Sequence, residues 1–144
     1  MENPNQSKKI IISILSVVIG VVIFFIVKQL LIKPEATFDD ALLQAANEIN
    51  KSCPIMVDAE TQLDNTVALP GKIFQYNYTL VNFVKDSIDV ESIKAILEPN
   101  ILNNVKTNPD LANFRENDVT MNYIYKDKDG VHLLKITILP EQYK

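Results

Sequence analysis

Few side chains here have the makings of chemistry. Cys53 and His132 are the one nucleophile–base pair of the cysteine-hydrolase type, because a thiol needs an imidazole to take its proton. No oxyanion-hole signal accompanies them, so a core cysteine and a sheet-face histidine are expected. Asp58, Glu60 and Asp64 form an acidic group that would suit a cation, and Asp58 with Asp64 would suit a carboxylate hydrolase. Asp127-Lys128-Asp129-Gly130 resembles the start of a calcium loop but lacks the later Gly and Glu ligand positions, which makes a tight hairpin turn the expectation. Asn50-Lys51-Ser52 and Asn77-Tyr78-Thr79 match glycosylation sequons. No catalytic residue, cofactor or metal is expected.

A group of aromatic residues carries more. Phe74, Tyr76 and Tyr78 alternate with Gln75, Asn77 and Thr79, and Tyr123 and Tyr125 alternate with Asn122 and Lys126. Period two places each set on one face of a strand, and on facing strands the rings would form cross-strand pairs. They either cover the sheet beneath helices with their hydroxyls at the rim, or face solvent as a platform for a peptide or glycan. Tyr76, Tyr78, Tyr123 and Tyr125 are the candidate partner-binding residues.

The elements that position them follow from pattern. Thr37 with Asp40 three residues on has the form of a capping box. Phe38, Ala41, Leu42, Ala45, Ala46 and Ile49 then recur at helical spacing, which predicts a helix over 38–51 stopped at Cys53-Pro54. Thr61–Leu69 and Ile73–Phe83, joined by Pro70-Gly71-Lys72, predict a β-hairpin. Asp89 caps a helix carrying Val90, Ile93, Ile96, Leu97, Ile101 and Val105 inward, which Pro99 is expected to kink or split. Asn108-Pro109-Asp110 starts a short helix. Val119–Lys126 and Val131–Leu139 predict a second hairpin, ended by Pro140. Helix, hairpin, helices, hairpin makes an α+β domain, with an antiparallel sheet and helices on one face.

Before this domain stands the stretch Ile10–Ile32. Ile10 to Val27 is 18 residues without a charge, 15 of them Ile, Val, Leu or Phe. As helix it measures about 27 Å, close to a bilayer's hydrocarbon core. A cleaved signal peptide fits poorly, because the run is long and no small-x-small site follows. The expected organisation is a polar head over 1–9, a transmembrane anchor over 10–32 and a single domain over 35–144. Lys8 and Lys9 precede the span while Lys28 and Lys33 follow it. The short head favours a cytoplasmic N-terminus and an extracytoplasmic domain. Ser16 and Gly20 form a small-xxx-small pair through which two anchors could pack as a homodimer.

After Pro34 the chain holds ten basic and seventeen acidic side chains, a net charge of −7. Phosphate binding needs a basic stripe, so nucleic acid is excluded as a partner. A single cysteine cannot make an internal disulfide.

Pro54-x-x-Val57-Asp58-x-x-Thr61-x-Leu63-Asp64, then Pro70-Gly71 and Tyr76-x-Tyr78-Thr79-Leu80, resemble a group of small, uncharacterised bacterial proteins with an N-terminal hydrophobic segment. The resemblance runs over about residues 45–140 and implies a bacterial source. No activity comes with it, so it assigns no catalytic residue. The first functional expectation is a membrane-anchored envelope protein whose domain binds another protein in an accessory or assembly role. The alternatives are a membrane-tethered hydrolase using carboxylates, and an inhibitor or immunity-type protein.

Overall fold

Thr37 begins the part of the chain that the computed structural model describes, residues 37–144. The expected anchor over 10–32, the polar head and the Ser16–Gly20 pair lie outside these residues. Among the described residues, no helix is long and apolar enough to cross a membrane.

The Thr37–Asp40 capping box is formed: the Asp40 side chain accepts from the Thr37 backbone N–H at 2.7 Å, and Thr37 Oγ1 accepts from the Asp40 N–H at 3.3 Å. Helix α1 follows over Phe38–Asn50. A two-residue strand β1, Ile55–Met56, leads into β2, Thr61–Leu69, and β3, Ile73–Leu80. The connection back contains a 3₁₀ turn at Lys85–Ser87, the long helix α2 over Val90–Thr107, a second 3₁₀ turn at Pro109–Leu111 and the short helix α3 over Ala112–Glu116. Strands β4, Thr120–Asp127, and β5, His132–Ile138, complete the sheet, and α4, Pro140–Tyr143, ends the chain.

The five strands lie in the order β1-β2-β3-β4-β5. Both expected hairpins are present, but the sheet is mixed, because β3 and β4 run parallel from Ile73 beside Thr120 to Leu80 beside Asp127. This corrects the expectation of an antiparallel sheet. Lengths give the reason. An eighteen-residue helix spans about 27 Å and an eight-residue strand about 26 Å. Helix α2 therefore carries the chain back along the whole of β3, and β4 starts where β3 started. Helices α1 and α2 pack on the face that holds Phe74, Met121, Ile136 and Ile138. Leu42, Ala46 and Val105 are the buried helix residues of that core.

Helix α2 also passes through Pro99 as one element, where a split was a possibility. Ala95 and Pro99 both lie on its exposed side, so solvent can take the carbonyl that proline leaves without a donor. At the far end, Arg115 donates to the carbonyls of Val105 and Asn108 at 2.7 and 2.8 Å. It thereby satisfies acceptors that every helix C-terminus orphans.

Strand β1 pairs only with Leu63 and Gln62, so the rest of that β2 edge needs other cover. Asn50 supplies it. Its Nδ2 donates to the Thr66 carbonyl at 2.8 Å and its Oδ1 accepts from the Thr66 N–H at 2.6 Å, so one carboxamide stands in for a neighbouring strand. This use removes the first sequon as a glycan acceptor. Asn50→Ala should cost about 1–3 kcal/mol in a denaturant melt, since Thr66 is buried and keeps both backbone groups without a partner.

Candidate functional site

The parallel register of β3 and β4 sets Tyr76 beside Tyr123 and Tyr78 beside Tyr125. Their rings stack in two cross-strand pairs, each at 5.1 Å between centroids, with planes 15° and 18° apart. Along β3, Tyr76 and Tyr78 are also near parallel at 6.3 Å. The four rings thus form a two-by-two array on the helix side of the sheet. Phe74 continues the row inward, edge-on to Tyr76 at 5.1 Å and against Phe114 at 5.0 Å.

The array is part core and part surface. Tyr123 and Tyr125 are buried, while Tyr76 and Tyr78 are half-buried. The Tyr123 hydroxyl contacts only the Met121 sulfur, at 3.9 Å. Among the described residues, no buried side-chain polar atom lacks a hydrogen bond. The hydroxyls of Tyr76, Tyr78 and Tyr125 make none to any described residue, and each keeps contact with solvent. Tyr78, Tyr123 and Tyr125 line a groove of about 370 Å³. One wall is α2, which contributes Asn100, Ile101 and Asn104 at helical spacing; the other is the β1–β2 loop, with Val57 and Asp58.

Burial disfavours the phenolate at all four tyrosines. It pushes Tyr78 up to about 12, with a further rise from Cys53, and it raises Tyr76, Tyr123 and Tyr125 as well. The hydroxyls are therefore neutral at physiological pH and serve as donors and acceptors, not as bases. Asp58 goes the other way: the Glu60 backbone N–H, joined by that of Thr61, holds its carboxyl below the usual range. Both N–H groups donate to Oδ1 at 2.8 Å.

The remaining candidates fall apart in space. Cys53 precedes β1 and His132 opens β5. Four strand steps separate those edges, about 19 Å, and no dyad forms. Asp64 is not among the residues that line the groove with Asp58. It accepts from Gln62 at 2.8 Å and Thr79 at 2.7 Å and pairs with Lys126 at 3.2 Å, on the face opposite Tyr78. Burial acts to raise its carboxyl, but these three partners outweigh burial and lower it. Neither carboxyl has the raised value that a general acid needs. Asp127 is buried, and its two oxygens accept from the backbone N–H groups of Lys85, Asp129 and Val131. That role makes it the hairpin-turn anchor, with Gly130 at a φ of 81°. Asn77 bonds with Asn65 and Gln75 on the open face.

Sequence pattern did not reveal the groove walls. Asn100 and Asn104 stand one turn apart and flank Ile101, which was expected to point into the core; Ile96, expected there too, is exposed instead, on the same side of α2 as Asn100. The Ile55-Met56-Val57 run beside them was the one available signal, three apolar residues that the fold leaves exposed.

Three solved structures share the fold. A Pseudomonas aeruginosa protein described only as a predicted secreted protein superposes with a TM-score of 0.63 at 9% identity, covering 74% of this chain and 92% of that one. The type 2 secretion system pilotin EpsS of Vibrio vulnificus gives 0.56 at 6% identity, over 72% and 89%. The type II pilotin AspS of Vibrio cholerae gives 0.54 at 10% identity, over 71% and 88%. At such identities the likeness is one of fold. Among curated proteins, none matches the chain. A family model matches residues 37–134, the whole of the sheet up to Leu134, and by that match the chain belongs to the family of the domain of unknown function DUF8479.

Proposed function

We propose that this chain is a single-pass envelope protein that binds another protein through the tyrosine groove, in an accessory or assembly role. In this reading residues 10–32 anchor it, the N-terminus is cytoplasmic and the domain lies outside the cytoplasm. The observation that carries the reading is the groove itself, where neutral hydroxyls reach solvent over a rigid stacked floor. Large, stiff amphipathic rings with a polar handle suit protein recognition. Two of the fold neighbours are pilotins of type II secretion systems, which supports an assembly role. Asp58 and Asp64 on opposite faces, both with lowered carboxyls, speak against the hydrolase. An inhibitor or immunity-type protein would use the same groove in the same way. Homodimerisation through Ser16 and Gly20 belongs to this proposal and is independent of the groove.

Asn104 is exposed on α2, so Asn104→Trp should fill the groove by bulk without disturbing the core. The expected result is loss of the partner captured by the wild-type full chain from solubilised envelopes, with the melting temperature unchanged. Capture of the same protein by the variant would sink the proposal. For topology, alkaline phosphatase fused after Lys144 should be active, and a cytoplasmic reporter at the same place silent; the reverse pattern would remove the envelope reading.

A further inference from the structure

The chemistry of the groove's occupant can be read from which atoms are engaged and which are free. The tyrosine faces are turned toward each other at 5.1 Å. Within each stacked pair the inner π faces are taken by the partner ring, so no cation sits between them. What the floor and walls offer instead is a set of dispersed acceptors. The lining residues that carry them are Tyr78, Tyr125, Asn100, Asn104 and Asp58. Both backbone bonds to Asp58 end on Oδ1; the Thr61 side chain also bonds the carboxylate, which keeps acceptor capacity on Oδ2.

Charge points the same way. Among the described residues, no lysine or arginine lines the groove, and Asp58 is the one acidic side chain that does. The described residues carry ten basic and sixteen acidic side chains, so the surrounding field also favours a cationic visitor. The rim is apolar. Val57, on the loop wall, is 52% exposed, and Ile96, one turn before Asn100 on α2, is 63% exposed.

Resting on the protein-binding reading above, we infer that the groove receives an arginine of the partner, flanked by apolar side chains that cover Val57 and Ile96. A guanidinium presents five donors in a rigid planar fork, which can reach a carboxylate and neighbouring hydroxyl and amide oxygens together; an ammonium offers a point charge. The bond to Asp58 is charge-assisted at the edge of a partly desolvated site. Tyr78 and Tyr125 position the fork, and their stacking keeps the hydroxyls in place before binding, which lowers the ordering cost.

The test uses the isotope-labelled full chain in detergent micelles and two short probes: acetyl-Leu-Leu-Arg-Leu-Leu-amide, and the same peptide with citrulline in place of arginine. Citrulline keeps the shape of arginine and removes its charge. The arginine peptide should give saturable shifts at Asp58, Tyr78 and Asn104, and none at Thr137 on the open face. The citrulline peptide should bind at least about tenfold more weakly. Asp58→Asn, which retains the Oδ1 acceptor of the loop, should abolish that difference. Equal binding of both peptides at the groove would overturn the arginine inference and leave the protein-binding reading standing. Absence of groove shifts with either peptide would overturn both.

Discussion

Phe74→Ala should lower the unfolding free energy by about 3–5 kcal/mol, a large share of the roughly 5–15 kcal/mol typical of a whole domain. Phe74 is fully buried, and its ring packs on Tyr76 and Phe114. It is also the inner end of the aromatic row, so its loss should loosen the stacked floor of the groove as well as the core. Tyr76→Phe is the contrasting change. It removes only a hydroxyl that makes no bond to any described residue, and it should cost less than about 0.5 kcal/mol. Urea unfolding of residues 37–144 measures both. A cost below about 1 kcal/mol at Phe74 would mean that the core has been placed on the wrong face.

Alkali should unfold the domain over a defined window. Each of the four tyrosines is more acidic in the unfolded chain than in the folded one, because burial excludes the phenolate. Their contribution is therefore fully present below pH 10.0, the unfolded value, and is lost as pH rises toward 12 for Tyr78. For that residue the difference corresponds to roughly 2–3 kcal/mol, at about 1.4 kcal/mol per tenfold change in acidity. A second phenolate, on the Tyr125 ring stacked at 5.1 Å between centroids, would add repulsion. Circular dichroism should show loss of structure in step with phenolate absorbance between pH 10 and 12. Tyr78→Phe and Tyr125→Phe together should move the midpoint upward. An unmoved midpoint would assign the transition to lysine deprotonation and not to the array.

Much of this fold could be read from the chain because the signals are local. The Thr37 cap, the Phe38–Asn50 helix, both hairpins and the shared face of Tyr76 with Tyr78 depend on neighbours within a few residues. What escaped depends on distance. The direction of β4 against β3 is decided by the length of α2, not by the pattern of either strand, and the sheet is mixed as a result. Strand β1 has two residues and shows no period. Pro99 carries a penalty of about 3 kcal/mol in a helix interior, yet exposure at Ala95 and Pro99 lets α2 continue through it. Alternation showed that Tyr76 shares a strand face with Tyr78 and Tyr123 with Tyr125; which ring stands beside which depends on the parallel register of β3 and β4. The groove was not legible, because Asp58 and Asn104 meet the array only after α2 has crossed the sheet. Asn50 and Asp127 likewise looked like a sequon and a turn residue, and their backbone partners, Thr66 and Lys85, lie far along the chain.

The central claim is that the tyrosine groove, and no other face of the domain, contacts a protein partner. A photo-crosslinking benzoylphenylalanine placed at Asn104 in the full chain, and separately at Thr137 on the open face, tests this in native membranes. Illumination should give one discrete adduct from position 104 and none from position 137. No adduct at 104, or the same adducts at both positions, would contradict the claim.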